Sequence, residues 1–123
     1  MKLIIEEEES AALERHLAHG PIIATSRIST VEVPRASALA NPAREIRVET
    51  DRLLASCMLV AVSTELLRAA SQLTSASVRT LDAIHLASAL RIEADELVAY
   101  DRRLLGAATE HGLAVATPRS DSR

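Results

Sequence analysis

The sequence predicts an α/β layered fold built around a mostly parallel sheet, and three observations carry that expectation. Helical patterns alternate with short β-branched runs along the chain, as they do in repeated strand and helix units. Glycines in "HGPII" and "EHGLAV" stand after a helical stretch and before a strand, the position at which helices close. The chain has 123 residues, 48% of them hydrophobic, enough for one packed domain with a single core.

Taken in order, helices are predicted near 7–18, 30–40, 44–56, 64–73, 80–93 and 102–111, and strands near 21–25, 58–62, 97–100 and 113–116. The run "EEEES" at 6–10 reads as a first helical turn leading to Leu13 and Leu17, its acids complementing the positive end of the helix dipole. A metal site made of Glu6 to Glu9 is the sharper alternative, but adjacent positions point around a helix and not at one ion. In "ISTVEVPRA", Ser29 and Glu32 have the spacing of a capping box, with Pro34 expected in the first turn. "CMLVAV" at 57–62 is of strand length. In "VRTLDAIHLASAL", Ile84, Leu86, Ala87 and Leu90 cover most of a helix circumference, the pattern of a helix packed on several sides. "ELVAY" then leads directly into "DRRLLGAA", a strand-to-helix junction at Asp101, and "TPRSDSR" reads as a frayed tail.

Composition narrows the possible functions. The formal charge is −3, which is not the basic field of a protein that coats nucleic acid. Tyr100 is the only aromatic residue, so bases have little to stack on and any nucleic acid is gripped by its phosphates. All of the basic residues except Lys2 are arginine, which suits phosphate or carboxylate recognition and equally suits a biased genome. Cys57 stands alone, so no intrachain disulfide forms, and a reduced, cytoplasmic setting is expected. No apolar run approaches the ~20 residues that span a bilayer, and the acids after Ile5 argue against an ordinary secretory signal.

Glu32, Asp82 and Asp101 each fall at the entrance of a predicted helix, where any one of them has a structural excuse as a dipole-complementing acid. Together they invite a second reading. In a parallel α/β sheet, helix entrances lie at the carboxyl ends of the strands, the edge where such folds build their sites. Charges about 4 Å apart repel by ~4 kcal/mol at an effective dielectric of 20, so three converging carboxylates call for a cation or a proton. Oxygen-only ligation suits Mg2+ or Mn2+, which keep several waters and engage phosphates. His85, three residues after Asp82, is either a general base or a buried histidine bonded to backbone or a neighbouring acid, and the second is favoured because no serine or cysteine nucleophile accompanies it. His16, His19 and His111 lie near helix ends and need no chemistry.

The segments "STVEVPRA", "RTLDAIHLASAL" and "ELVAYDRRLLGAATEHGLAVATP", in this order and spacing, resemble PIN-domain ribonucleases, with the nearest likeness to the VapC toxins of bacterial toxin–antitoxin pairs. The resemblance covers Lys2 to Pro118. It implies a three-layer α/β/α domain over residues 1–118, followed by a disordered tail at 119–123. It further implies a divalent ion, Mg2+ or Mn2+, held among carboxylates and used to cut RNA. Glu32 then matches the acid of the second motif, Asp82 the metal-binding aspartate of the third, and Asp101 the acid after the next strand. The implied partners are an RNA substrate, a cognate antitoxin and a second copy of the chain, with no membrane.

The beginning departs from the family pattern. Such chains normally open with a hydrophobic strand ending in an aspartate, whereas this one starts "MKLIIEEEESAAL", with Lys2 and Leu3 aligned after that strand. The first acid and the central strand are therefore expected to be missing from this sequence, the favoured explanation being a start assigned too late. The rival function is a catalytically silent PIN-like module that binds an antitoxin or dimerises. A receiver-like signalling domain ranks low, since it needs a lysine late in the chain and the only lysine is Lys2.

Overall fold

The structure, a computed structural model, describes residues 2–4, 22–73 and 78–117. The helix expected near 7–18, the acidic run at 6–10, His16, His19 and the tail at 119–123 lie outside the described residues.

Five strands form one sheet: β1 (Lys2–Ile4), β2 (Ile23–Ser26), β3 (Met58–Val60), β4 (Glu96–Val98) and β5 (Ala114–Ala116). Their order across the sheet is β3-β2-β1-β4-β5, and every neighbouring pair is parallel. Parallel neighbours need crossovers, and the described helices provide those from β2 to β3, from β3 to β4 and from β4 to β5. The described helices are α1 (Ser29–Ala40), α2 (Arg44–Ala55), α3 (Thr64–Ser71), α4 (Thr80–Arg91) and α5 (Arg102–Glu110). The α/β class and the mostly parallel sheet read from the sequence are thus present.

One position differs from the sequence reading. Where that reading left the centre of the sheet without a strand, Lys2–Ile4 occupies it, pairing with β2 on one side and β4 on the other. The physical reason is the backbone: β2 and β4 each present donors and acceptors toward the gap, and a three-residue segment that pairs with both satisfies them. Three residues are too few to show a period, so the hydrophobic pattern gave no warning.

The core lies between the sheet and α4 and α5. Leu97 of β4 and Ala24 of β2 pack with Leu86 and Ala89 of α4 and Leu104 and Ala107 of α5 in one buried cluster. Val98, the next residue along β4, belongs to a separate cluster with Ile23 and Ala116, as expected when successive strand residues face opposite sides. A third cluster joins Leu66 and Ala70 of α3 to Ile84 and Ala87 of α4. Residues 84–89 of α4 are therefore buried without a break, which accounts for the apolar run on several sides of that helix.

Helix α5 closes in a Schellman arrangement, with the Leu113 amide donating to Ala108 O at 2.9 Å and the Gly112 amide to Thr109 O at 3.0 Å. Gly112 has φ +85°, and a Cβ there meets nothing within 4 Å, so its requirement is purely one of backbone conformation. Helix α4 closes in the same way through Ala94 and Glu93, but Glu93 takes φ 51° despite its side chain. Gly112→Ala is expected to destabilise the fold by about 1–2 kcal/mol and Glu93→Gly to stabilise it, provided the relief of left-handed strain exceeds glycine's greater unfolded-state freedom. Urea unfolding of the two variants checks both signs.

Two local expectations are corrected. The capping box does not form: the N-cap of α1 is Ile28, Ser29 shares a buried 2.6 Å hydrogen bond with the Thr25 hydroxyl, and Glu32 turns to another partner. Pro34 is the sixth residue of the helix and lies past its first turn, so it removes a ladder bond that would run to the Thr30 carbonyl.

Candidate functional site

The sheet reverses its winding at β1: the chain builds outward to β2 and β3 on one side and to β4 and β5 on the other. The crevice outside the carboxyl ends of the strands at such a switch point is where open α/β sheets bind ligands. Strand β2 delivers the chain to α1 at that edge, and β4 delivers it to α5. Helix α4 runs back to the start of β4, so its own first turn also belongs to the carboxyl edge. Glu32 lies near the start of α1, Asp82 in the first turn of α4 and Asp101 at the N-cap of α5.

The three acids are electrostatically joined. Asp82 has its carboxyl pushed above the ordinary value of 3.8, first by burial and then by the negative charge of Asp101, with Glu32 adding to the effect. A backbone hydrogen bond at Arg79 and the neighbouring His85 work in the opposite direction. Asp101 uses Oδ1 as a cap, accepting from the Arg103 amide at 2.8 Å and the Leu104 amide at 3.4 Å. Glu32 Oε1 lies 2.6 Å from His85 Nε2. The His85 ring is 2% exposed, while the Glu32 side chain is 32% exposed. Nδ1 of His85 has no hydrogen-bond partner among the described residues. A carboxylate oxygen accepts, so Nε2 carries the hydrogen and donates it to Glu32.

Among the described residues, no three His, Cys, Asp or Glu side chains are grouped closely enough to hold one ion. The site is an acidic cluster at a sheet edge and not a closed cage. Its donors are hard oxygens, Asp101 and Glu32 raise the proton affinity of Asp82, and none of these three acids is ion-paired with arginine or lysine among the described residues. That chemistry fits a divalent cation that retains part of its water shell.

The raised Asp82 value has a consequence for stability. The folded protein keeps a proton on Asp82 that the unfolded chain has already released, so stability falls as pH rises from 3.8 through the higher folded value. Below that window the penalty is absent; above it the penalty is complete. Metal-free Asp82→Asn, which cannot ionise, is expected to resist urea better than the parent near neutral pH, with the advantage vanishing at acid pH. A variant less stable than the parent at neutral pH contradicts the electrostatic account.

Sequence reasoning placed all three acids at one edge and took His85 as a buried histidine bonded to backbone or to a neighbouring acid. It did not identify that acid as Glu32, 53 residues away. The only trace in the sequence is that His85 follows Asp82 by three positions and so shares its helical face. His111 caps α5 and bonds Ala107 O through Nδ1 at 2.9 Å, in keeping with a helix-end role.

The chain is 38% identical over 120 residues to ribonuclease VapC46 of Mycobacterium tuberculosis, covering 96% of this chain and 91% of that protein. It is 35% identical over 124 residues to ribonuclease VapC47 of the same species, covering 95% and 90%. The crystal structure of VapBC2 from Rickettsia felis bound to a DNA fragment from their promoter superimposes with a TM-score of 0.67 over 96% of this chain and 99% of that one. Identity there is 13%, so this likeness speaks for the fold. Residues 1–110 match the PIN domain family. An all-parallel sheet with three acids at its carboxyl edge, matched to that family over most of its length, makes this chain a member of the PIN-domain family, of the VapC type.

Proposed function

We propose that the chain is the toxin of a toxin–antitoxin pair and acts as a divalent-metal-dependent endoribonuclease that hydrolyses RNA phosphodiester bonds. The observation that carries the reading is the placement of Asp82, Asp101 and Glu32 at helix entrances on the switch-point edge of the sheet, where the other two raise the proton affinity of Asp82. The ribonuclease names of the two mycobacterial relatives support the reaction class.

Asp82 and Asp101 are the residues assigned to hold Mg2+ or Mn2+, Asp101 through the oxygen its helix cap does not use. A bound divalent ion lowers the proton affinity of its water and stabilises charge on phosphoryl and leaving oxygens. Glu32 is assigned to orient that water, to take its proton or to help hold a second ion. Arg27, Arg79, Arg102 and Arg103 are exposed beside the helix entrances, where guanidinium groups contact RNA phosphates. Among the described residues no helix is long and apolar enough to cross a membrane, and a cytoplasmic setting goes with an RNA substrate. The promoter-bound VapBC2 structure supports a cognate antitoxin as partner, and self-association accompanies that reading.

The test is cleavage of an end-labelled RNA by the purified chain in Mg2+ or Mn2+ and in chelator. Cutting that needs the ion, is lost in Asp101→Asn and is accompanied by intact folding is the expected result. Asp101→Asn keeps an acceptor for the α5 amides, whereas Asp101→Ala also loses the cap, at a cost of about 1 kcal/mol. The absence of a ready three-donor group among the described residues favours one second reading, a silent module that binds antitoxin without cutting. Antitoxin binding with no ion-dependent cut selects it.

A further inference from the structure

We infer that His85 is a positioning residue for Glu32, holding its carboxylate in the one orientation that serves an ion at the sheet edge. The inference rests on the reading of Glu32 as part of a divalent site. It begins from an imbalance in the core. His85 lies within the run of buried α4 residues 84–89, and a buried imidazole forfeits water at both nitrogens. One nitrogen recovers a single short hydrogen bond, to Glu32 at 2.6 Å; the other recovers nothing among the described residues. An apolar side chain at this position would pack without that loss. The polar function of the ring is therefore concentrated in Glu32.

Glu32 is suited to such control. It is partly exposed on α1, and its three rotatable side-chain bonds leave an unanchored carboxylate free to sample several positions. The ring is fixed by packing on α4, the same helix whose first turn carries Asp82. A hydrogen bond from that ring to Oε1 ties Glu32 of α1 to the element that bears Asp82, and leaves Oε2 outside the bond. Partners of ligating carboxylates set their orientation, and losing such a partner typically weakens metal affinity about 10–100-fold. His85 acts through Glu32 and touches neither ion nor substrate.

The test is Mn2+ binding by the full, metal-free chain at one fixed pH, followed by electron paramagnetic resonance, with circular dichroism as the measure of folding. His85→Leu is expected to weaken Mn2+ binding about tenfold or more, and His85→Gln, which keeps an N–H donor, to stay within about threefold of the parent. In a Glu32→Gln background, His85→Leu should add little further weakening, because its effect runs through the missing carboxylate. A role limited to packing predicts lower thermal stability in both backgrounds with unchanged affinity in the folded protein. Folded His85→Leu binding Mn2+ like the parent overturns the inference, as does an undiminished effect in the Glu32→Gln background. If His85→Leu does not fold, a folded His85→Met, which also lacks the N–H donor, decides: a tenfold loss upholds the inference and near-parental affinity overturns it. A parent chain that binds no Mn2+ removes the divalent reading and this inference together, whereas parental affinity in His85→Leu removes this inference alone.

Discussion

Asp82→Asn is expected to lower ion-dependent RNA cleavage by at least about a hundredfold while leaving the fold intact. The substitution keeps shape and a hydrogen-bond acceptor in the first turn of α4, so the helix retains its entrance. It removes the charge that sits among Asp101, Glu32 and His85. In the metal-free protein that charge is a burden, raised in proton affinity by burial and by its acidic neighbours. A cation reverses the balance, turning the same repulsion into attraction. The variant is thus expected to be more stable without metal and inactive with it. Single-turnover cleavage of a labelled RNA, beside urea unfolding of the same preparation, reads both effects. Equal cleavage by parent and variant, with and without chelator, would falsify the assignment of Asp82.

Leu86→Ala carries the largest expected stability effect. Leu86 is 0% exposed and lies in the cluster that joins α4 to Ala24 of β2, Leu97 of β4 and Leu104 of α5. Truncation removes buried methyl and methylene groups at the junction of helices and sheet, where close packing limits collapse. The expected cost is about 2–5 kcal/mol, set against a total stability of about 5–15 kcal/mol for ordinary domains. Because α4 also carries Asp82 and His85, loosening it is expected to weaken ion binding in the remaining folded protein. Urea denaturation with an unchanged slope and a lowered midpoint is the signature; a loss below about 1 kcal/mol contradicts the packing described for α4.

Much of this was legible in the residues. Every described helix falls where the apolar spacing placed it, with ends shifted by one or two residues, as helix ends commonly are. The run from Ile84 to Leu90 announced a helix buried on several sides, and residues 84–89 are indeed buried. Gly112 announced the end of α5, since only a residue at ease with positive φ closes a helix that way at low cost. The edge shared by Glu32, Asp82 and Asp101 was legible too, because parallel topology sends helix entrances to the carboxyl ends of strands.

What the residues concealed has physical reasons. Lys2–Ile4 is too short to display a strand period, and its place in the sheet is set by the vacant backbone groups of β2 and β4. Ser29 and Glu32 have capping-box spacing, yet each found a better partner: a buried hydroxyl at Thr25 for one, a buried ring at His85 for the other. Local spacing cannot weigh such long-range alternatives. The pairing of His85 with Glu32 joins α1 to α4 across the fold and depends on how the two helices dock.

The central claim is that Asp82 and Asp101 hold one divalent ion and that Glu32 bears on it through a bound water. Calorimetric titration of Mn2+ into the metal-free chain and into Glu32→Gln, Asp82→Asn and Asp101→Asn tests it most directly. The account predicts binding to the parent and marked weakening in every folded variant, with paired substitutions falling short of additive. Binding that is absent from the parent, or that survives all three changes at parental strength, contradicts it.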